Sequence, residues 1–248
     1  MPPRLPRQLA ERGASSGGDR HARELRSFGR RHGRRLSAHQ ASLLEQVLPR
    51  VGLDLSRPCP PTLHALFAQT PSAVWLEIGF GGAEHLVWQA GQNPDVGLVG
   101  CEVFEDGVVK ALAGIEERGL ANVRVAVEDA RDVLRWLPAA SLSRVFILFP
   151  DPWPKKRHVK RRLVSTQLFG LLARVMAPGA ELRIATDIGD YARTMLLAAR
   201  GHPEFAWQAR DPEDWRTRGA DWPATRYQGK AIAEGRRCYY FRFSRMCL

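Results

Sequence analysis

The central part of the chain alternates between two spacings of apolar residues. Short uninterrupted apolar runs recur along it, and the stretches between them carry apolar residues three or four positions apart. The runs predict buried strands, and the wider spacing predicts helices that turn one apolar side to a sheet. The predicted strands span 73–78, 96–101, 123–127, 144–149, 181–185, 205–208 and 238–244, and the predicted helices span 38–48, 83–90, 105–118, 130–137, 161–176 and 191–200.

This alternation predicts an α/β fold with a mostly parallel, doubly wound, Rossmann-like sheet that has helices on both faces. A chain of 248 residues is long enough for one such domain with extensions. Residues 1–24 are rich in proline, arginine, glycine and serine, which predicts a disordered basic arm. Residues 25–248 are predicted to form a single domain, with an N-terminal lid (25–70), a core (71–209) and a C-terminal segment (210–248) that holds a substrate loop and the last strand.

Five successive predicted strands each end in, or lead directly into, an acidic residue. In an open parallel sheet, ligands bind at the carboxyl ends of the strands. One acid in such a place is common, but five at the same edge predict a crevice lined by carboxylates. These acids are Glu77, Glu102, Asp129, Asp151 and Asp187.

The glycine-rich turn after the first strand contains Gly79 and Gly81 but departs from the dinucleotide-binding pattern. That pattern needs a third glycine where this chain has Glu84. Glu84 and the nearby Glu77 would repel a pyrophosphate. A cationic cofactor without phosphates, such as S-adenosylmethionine, therefore fits this turn better.

Two later acids extend the cofactor prediction. Glu102 lies 25 positions after Glu77, close to the roughly 20-residue step to the ribose-binding acid in nucleotide-binding βαβ units. Its carboxylate could accept both hydroxyls of a ribose. Asp129 would then lie near the adenine amino group.

The stretch from residue 149 to residue 162 combines one rigid acid with dense positive charge. Asp151 lies between two prolines, which restrict the backbone on both sides of it, and Trp153 follows. Six lysines and arginines then occur between residues 155 and 162. We interpret Asp151 as a catalytic group at the end of a strand, beside a surface that binds a polyanion. Trp153 either stacks on the substrate base or packs against the prolines.

The net charge of +11 is unevenly distributed. Residues 1–35 carry a net charge of +7 and residues 151–162 a net charge of +5, whereas residues 36–150 carry −5. This distribution predicts contacts with a phosphate backbone around an acidic core. The alternative is an arginine-rich protein whose charge serves solubility alone.

No part of the sequence has the roughly 20 apolar residues that a membrane-spanning helix requires. The N-terminus also lacks the apolar run of a secretion signal, so we expect a cytoplasmic protein without a membrane partner. The four cysteines have no metal-binding spacing, and we expect free thiols and no metal. They are Cys59, Cys101, Cys238 and Cys247.

The motifs of this chain resemble those of the bacterial tRNA (guanine-N7-)-methyltransferase family. The block at 149–153 followed by a basic run is highly specific for that family, whereas the glycine-rich turn is not. The resemblance extends roughly from residue 25 to residue 244. Besides that block, it rests on residues 26–34, 77–81, 100–103, 129–130, 155–162, 185–187 and 225–228.

The resemblance implies a seven-stranded class I methyltransferase domain that uses S-adenosylmethionine. It implies methyl transfer to N7 of a guanosine in tRNA, at nucleotide 46 in the variable loop. The sequence leaves a monomer and a homodimer equally open. It also implies catalysis at Asp151 and cofactor contacts at Glu77, Gly79, Gly81, Glu102, Asp129, Ala130 and Asp151. Substrate contacts are implied for Lys155, Asp187, Thr225, Arg226, Tyr227 and Gln228, and RNA contacts for Arg157, His158, Lys160, Arg161, Arg162, Arg30 and Arg31.

Two residues depart from the family pattern. Ala83 occupies a position that is often glycine, which is a mild change if its φ angle is negative. Gln228 replaces the usual glutamate, so its amide would bring no negative charge to the N1–H and amino group of guanine. Asp187 or Asp151 would then have to supply that charge.

The expected chemistry is simple, because N7 of guanine has a lone pair and no proton at neutral pH. The reaction therefore needs no strong base. The enzyme would align the reacting atoms and stabilise the positive charge that the purine gains, a role suited to Asp151. His85 is interpreted as structural, while Trp215 and Trp222 either close over the site or anchor the C-terminal segment.

Other functions remain open at the level of sequence. A class I methyltransferase that acts on another RNA, on protein or on a small molecule would have the same core, although the basic segments argue against the last two. An NAD-dependent oxidoreductase is disfavoured by Glu84 and by the lack of a catalytic Tyr-x-x-x-Lys pair. A non-catalytic RNA-binding protein on this fold is disfavoured by the complete set of strand-end acids.

Overall fold

The structure, a computed structural model, describes residues 31–33 and 35–247 of the chain. The predicted basic arm at 1–24 and Arg30 lie outside the described residues. The described part contains seven strands close to the predicted positions. They are β1 (Ala73–Ile78), β2 (Val96–Cys101), β3 (Val123–Ala126), β4 (Leu142–Leu148), β5 (Met176–Thr186), β6 (Phe205–Trp207) and β7 (Tyr239–Arg245).

The seven strands form one sheet in the order β3-β2-β1-β4-β5-β7-β6. Strands β1 to β5 pair in parallel, and β7 runs antiparallel to both β5 and β6. The connection reverses direction between β1 and β4, which makes this pair the switch point at which open α/β sheets bind ligands. The predicted Rossmann-like α/β fold is confirmed.

Helices cover both faces of the sheet. The α-helices of the described residues are α1 (Ala38–Gln46), α2 (Leu48–Val51), α3 (Glu84–Gln92), α4 (Glu105–Arg118), α5 (Ala130–Trp136), α6 (Thr166–Val175), α7 (Gly189–Arg200), α8 (Glu213–Arg216) and α9 (Arg226–Ala233), and two 3-10 helices span Leu63–Leu66 and Lys156–Arg161. The apolar sides of α5, α6 and α7 pack on one face, and those of α1, α3 and α4 pack on the other. None of the helices in this described part is both long and apolar enough to cross a membrane.

The helix predicted at 161–176 is wrong in its first part. The chain forms a 3-10 helix up to Arg161 and is extended at Arg162, and α6 begins only after Ser165. The Ser165 hydroxyl accepts a hydrogen bond from the backbone N–H of Leu168 at 3.3 Å. This is the N-cap arrangement that starts a helix.

Strand β5 begins at Met176 rather than at the predicted residue 181. Pairing with β4 shifts register between Leu142 and Arg144, so that residues 177–180 form a bulge. Gly179 in this bulge has a φ angle of 82°. Pro178 and Gly179 therefore lie inside an irregular strand, where bulges accommodate both residue types.

The C-terminal segment crosses the face of the sheet formed by β4, β5 and β7. Trp222 is buried there and packs with Phe146 and Tyr240. Its ring centroid lies 5.6 Å from that of Tyr240. Trp215 stacks on Tyr239 with nearly parallel rings. Trp222 is therefore an anchor of this segment rather than an open lid residue.

Candidate functional site

A cavity of about 310 Å³ opens at the carboxyl ends of β1 to β4. It lies at the switch point, where the sequence predicted a crevice lined by carboxylates. Glu102, Asp129 and Asp151 are the predicted strand-end acids among its described lining residues. Of the other positions singled out in the sequence, the lining also contains Gly79, Gly81, Ala130, Trp153, Arg161 and Tyr227.

Positive φ angles shape the turn between β1 and α3. Gly79 and Gly81 have φ angles of 70° and 53°, a region that favours glycine. Ala83, the N-cap of α3, has a φ angle of 63°. The condition under which alanine would be a mild change is therefore not met. A residue other than glycine in this conformation costs about 1–3 kcal/mol.

Backbone amides hold Glu102 in place. Its Oε1 accepts hydrogen bonds from the N–H groups of Val103 and Phe104 at 2.8 and 3.0 Å. Its Oε2 accepts one from the N–H of Gly81 at 3.0 Å. Burial raises the pKa of Glu102, these amides oppose the rise, and the negative charge of Asp151 adds to it. Glu102 thereby joins the glycine turn to the start of α4 at the cavity wall.

Asp129 is the N-cap of α5. Its Oδ1 accepts a hydrogen bond from the backbone N–H of Arg131 at 2.9 Å. The guanidinium of Arg131 also lies 3.2 and 3.3 Å from the two carboxylate oxygens. Any adenine amino group that contacts Asp129 would share the carboxylate with Arg131. Ala130, the next residue, also lines the cavity.

Asp151 lies on a loop with an unusual backbone. Phe149 and Trp153 have positive φ angles of 52° and 42°. The N–H of Phe149 donates to the carbonyl of Ala185 on β5 at 2.8 Å. Together with the two prolines, these features fix the position of the acid at the cavity. Loss of water to the surrounding protein raises the pKa of Asp151.

Trp153 connects this loop to the 3-10 helix that follows it. Its ring makes an edge contact with His158 at a centroid distance of 5.8 Å. The guanidinium of Arg161 lies 5.0 Å from the Trp153 ring centroid. Since Trp153 also lines the cavity, both sequence interpretations are compatible with its position.

Two of the five predicted strand-end acids, Glu77 and Asp187, are absent from the described lining of the cavity. Glu77 is buried, and its Oε2 lies 2.7 Å from Nδ1 of His85, which is also buried. This placement gives no support to the expected direct contact between Glu77 and the cofactor. It agrees with the structural interpretation of His85.

Helix α9 brings one predicted substrate residue to the edge of the cavity. A Cβ added to Gly81 would meet Cε2 of Tyr227 at 3.0 Å, so this ring lies directly over the glycine turn. The guanidinium of Arg226 lies 5.3 Å from the Tyr227 ring centroid. Thr225 caps the helix, because its hydroxyl accepts a hydrogen bond from the N–H of Gln228 at 3.2 Å.

The other predicted substrate residues differ in their surroundings. Gln228 is 8% exposed, and its Oε1 has no hydrogen-bond partner among the described residues. A buried carbonyl left unpaired costs roughly 1–3 kcal/mol. Asp187 accepts a hydrogen bond from Nε of Arg236 at 2.7 Å. Lys155 is exposed at the start of the 3-10 helix.

A basic surface, defined as residues 155–161, adjoins the loop that carries Asp151. Partial desolvation and the nearby cations lower the pKa of His158, which disfavours the charged form of this residue. The exposed cations of the basic surface are Lys155, Lys156, Arg157 and Lys160.

Arg162 was predicted to contact RNA, and its burial contradicts that prediction. It is 4% exposed, and its guanidinium donates to Asp190 Oδ2 at 2.6 Å and to Thr194 Oγ1 at 2.9 Å. It also donates to the carbonyl of Pro152 at 2.9 Å. Arg162 therefore ties the Asp151 loop to α7, because its bonds point into the fold and leave no surface for a phosphate.

Arg31 is exposed, and its backbone carbonyl accepts a hydrogen bond from the N–H of Glu105 at 2.9 Å. The residue before Glu105, Phe104, lines the cavity. Arg31 is therefore attached to the protein close to the cavity. Arg30, the neighbouring residue that was also predicted to contact RNA, lies outside the described residues.

Sequence reasoning missed part of the lining. Phe104 and Arg131 follow two predicted acids by two positions and could have been found from the rule that loops after strands form the site. Leu163 could not, because the sequence placed it inside a helix. No cluster of three or more potential metal ligands occurs among the described residues.

The chain is similar in sequence to one family model and to named proteins of bacteria. Residues 71–241 match the model of a family described as putative methyltransferase. A protein of Brucella anthropi named tRNA (guanine-N(7)-)-methyltransferase is 47% identical over 218 residues, which cover 88% of this chain and 94% of that protein. A protein of Rhodospirillum rubrum with the same name is 46% identical over 228 residues, which cover 90% and 88%.

Two solved structures are similar in fold. The cyclase SpnF is 14% identical, with a TM-score of 0.51 and coverage of 91% of this chain and 87% of that one. A putative rRNA methylase of Clostridium thermocellum is 9% identical, with a TM-score of 0.50 and coverage of 71% and 88%. Identities this low indicate the class I methyltransferase fold alone, because one fold hosts many activities. The family model and the two close relatives go further and show that the chain is a methyltransferase that belongs to the tRNA (guanine-N(7)-)-methyltransferase family.

Proposed function

We propose that this protein transfers the methyl group of S-adenosylmethionine to N7 of guanosine 46 in the variable loop of tRNA, forming N7-methylguanosine. The observation that carries the proposal is one cleft that joins the glycine turn, the carboxylates of Glu102 and Asp151, and the basic surface. The names of the close relatives support the substrate and the methylated atom. The choice of nucleotide 46 rests on the family resemblance.

The cavity suits S-adenosylmethionine better than a cofactor with a pyrophosphate. Glu84 stands in the first turn of α3, where a pyrophosphate needs positive potential. The charge of Asp151 contributes to the raised pKa of Glu102, so a bound cation would relieve repulsion between the two acids. When bound, the cofactor supplies an electrophilic methyl group on a sulfonium.

Five residues of the lining are proposed to hold the cofactor. Glu102 accepts the ribose hydroxyls, and Asp129 and Ala130 contact the adenine. Gly79 and Gly81 form the turn beside which the cofactor lies, since side chains at these positions would strain the backbone. Glu77 is proposed to hold the turn in place through its hydrogen bond to His85, without contacting the cofactor.

Asp151 is proposed to stabilise the charge that develops on the purine. Guanine N7 attacks without losing a proton, so the acid acts by its negative charge and not as a base. The stiff loop around it keeps that charge in position before the reaction, which is the condition for effective electrostatic stabilisation. Protonation of Asp151 at low pH removes the effect.

Selection of guanine is proposed to involve Gln228. The N1–H and the amino group of guanine are donors, and Oε1 of Gln228 is an acceptor without a partner among the described residues. Because this atom is buried and Gln228 does not line the cavity, α9 would have to shift when the base binds. Adenine has no N1–H and would leave this acceptor unpaired, which is costly. The target base must leave its stack to reach the cavity, and Tyr227 and Trp153 offer flat surfaces at its wall.

The basic surface is proposed to bind the tRNA backbone next to the reacting base. Its exposed cations are adjacent in sequence to the Asp151 loop, so binding of the phosphates and placement of the base depend on the same short connection. Lys155 and Asp187, which the described lining of the cavity does not include, are proposed to contact the substrate outside it. This arrangement predicts that tRNA affinity falls steeply with salt concentration.

Mass mapping of the methylated nucleotide tests the proposal. Unmodified tRNA transcripts with guanosine or adenosine at position 46 are incubated with the protein and tritium-labelled S-adenosylmethionine. We expect N7-methylguanosine at position 46 of the first transcript and no label in the second. Label in another RNA or in protein would instead support a different class I methyltransferase. Binding of tRNA without transfer would support the non-catalytic alternative.

A further inference from the structure

Helix α3 carries a buried chain of hydrogen bonds that the proposed chemistry does not use. Glu77, His85 and Gln89 are 3%, 2% and 1% exposed. Glu77 Oε2 lies 2.7 Å from His85 Nδ1, and His85 Nε2 lies 3.1 Å from Gln89 Nε2. Gln89 Nε2 also donates to the backbone carbonyl of Asp221 at 3.0 Å. This path of hydrogen bonds thus connects the end of β1 to the C-terminal segment.

The chemistry of the partners fixes the direction of each bond. The Asp221 carbonyl can only accept, and the Asn93 side-chain nitrogen lies 3.2 Å from Gln89 Oε1, so the amide nitrogen of Gln89 must face Asp221 and His85. His85 Nε2 is then the acceptor, and its Nδ1–H donates to Glu77. Each hydrogen bond of this buried path therefore joins one donor to one acceptor.

The far end of the path is also fixed. Arg183 donates to the Asp221 carboxylate at 2.6 Å, and the next residue, Trp222, is 3% exposed. The Trp222 ring lies 6.1 Å from the His85 ring, centroid to centroid. The C-terminal segment is therefore clamped just before Thr225, where the predicted substrate residues begin.

A second contact joins the same two parts of the molecule. The Tyr227 ring lies over Gly81 at the cavity. The glycine turn therefore touches the substrate-bearing segment at the surface through Tyr227. Beneath the surface, the same two parts are connected through His85 and Gln89.

We propose that His85 and Gln89 are positioning residues that set the placement of segment 221–228 relative to the glycine turn. The identity of the substrate in this inference rests on the proposed function. Packing alone does not require such a path, because apolar side chains of similar volume can replace buried polar groups at little cost. A buried path of hydrogen bonds instead specifies one arrangement of the elements it joins.

The variant Gln89→Met tests the proposal, since methionine keeps the volume and helix propensity of glutamine but cannot donate to His85 or Asp221. Gln92→Met, on the same helix at an exposed position, is the matched control. We expect Gln89→Met to raise KM for tRNA about fivefold, because it removes the hydrogen bonds to His85 and Asp221 that hold the substrate segment in place. The Kd for S-adenosylmethionine should stay within about twofold, and kcat should change less than KM. The control should match the wild type.

An unchanged KM for tRNA would overturn the proposal. A rise in KM that comes with an equal loss of cofactor affinity and a lower melting temperature would also overturn the proposal. It would mean that Gln89 serves general stability alone.

Hydrogen exchange gives a readout that does not depend on activity. We expect the backbone amides of 221–228 to exchange faster in Gln89→Met than in the wild type, with β2 and α4 unchanged. Equal exchange in both proteins would overturn the positioning role. A wild-type protein that methylates no tRNA would instead refute the proposed function and leave this measurement valid.

Discussion

Replacing Asp151 by asparagine is expected to lower kcat by at least about a hundredfold, the usual effect of removing a group that stabilises transition-state charge. Asparagine keeps the shape of the side chain and removes its charge. Single-turnover methyl transfer to tRNA measures the change. Asp132→Asn, at an exposed position on α5, serves as the control, and near-normal turnover in Asp151→Asn would contradict the assigned role.

The raised pKa of Asp151 predicts that the same variant, although less active, is as stable as the wild type or more stable. Because the surrounding protein partly desolvates this carboxylate and raises its pKa in the folded state, its charged form destabilises the fold at neutral pH, by an amount that solvent screening keeps small at an exposed residue. That cost falls as the pH drops through the folded-state pKa and disappears below the unfolded-state pKa. Asp151→Asn should therefore melt at the same or a higher temperature than the wild type at pH 7, with no gain in acid. The wild-type rate should fall over the range in which Asp151 is protonated.

Glu102→Gln is expected to weaken cofactor binding by about tenfold or more, as for the removal of a hydrogen bond to a charged group. An amide at this position must turn its NH₂ group toward the N–H of Gly81 or toward those of Val103 and Phe104, which are all donors. Calorimetric titration with S-adenosylmethionine measures the loss. Glu116→Gln, at the exposed end of α4, should bind normally, and equal affinities would remove Glu102 from the proposed ribose site.

At the residue level, position along the chain predicted which residues lie near the site, but it did not predict the direction of their side chains. The rule for strand ends led to Glu102, Asp129 and Asp151 because parallel strands bring their carboxyl ends to one edge. It failed to separate Glu77 and Asp187 from them, since neither lines the cavity. The direction of Glu77 depends on the partner that α3 places beneath it, and no local pattern reveals that partner.

Among the elements, the 3-10 helix of the basic surface carries the clearest prediction. Lys156→Glu, Arg157→Glu and Lys160→Glu together should raise KM for tRNA. They should also flatten the dependence of log affinity on log salt by roughly 0.7–0.9 for each phosphate that the protein no longer neutralises. Arg162 is left out because it is buried. Lys110→Glu with Arg118→Glu, both exposed on α4, is the control, and an unchanged salt slope in the triple variant would mean that the RNA binds elsewhere.

Helix α6 offers a test of the boundary that sequence reasoning misplaced. Ser165→Ala should lower the free energy of unfolding by about 1 kcal/mol, the usual effect of losing an N-cap. Gln167→Ala, exposed in the first turn, should change it by less than about 0.5 kcal/mol. Urea unfolding of both variants compares them. Equal stabilities would mean that the Ser165 hydroxyl contributes little to starting the helix.

The reason for the misplaced boundary is a long-range contact. The apolar spacing from 161 to 176 is continuous enough to predict one helix. The buried guanidinium of Arg162, bonded to Asp190 on α7, draws the chain into an extended path before Ser165 can cap α6. The strands were easier to predict, because each apolar run is buried whatever its neighbours are.

For the whole molecule, sequence reasoning predicted the layered sheet but not how the C-terminal segment crosses it. The alternation of strands and helices leaves few topologies, so the parallel core followed from it. The bond between Gln89 and Asp221 joins residues 132 positions apart. Composition and periodicity carry no information about such a contact, which is why the path beneath the glycine turn emerged only from the structure.

Two truncations test how the charge of the whole chain contributes to tRNA binding. Residues 1–30 carry seven arginines against three acidic residues. The melting temperature of each truncated protein is measured as well, so that a loss of stability is distinguished from a loss of RNA contacts. Without residues 1–30, KM for tRNA should rise and its salt dependence should weaken, because fewer cations neutralise phosphates.

Removal of residues 1–24 alone separates the predicted arm from the family motif that begins at residue 26. It removes five arginines and three acidic residues, a net charge of only +2, and retains Arg26 and Arg30. If the motif contacts RNA as the resemblance implies, the shorter truncation should change KM and the salt slope much less than the longer one. Filter binding at several salt concentrations compares the two. Equal effects of the two truncations would assign the contribution to residues 1–24. No effect of either truncation would confine RNA binding to the residues after position 30.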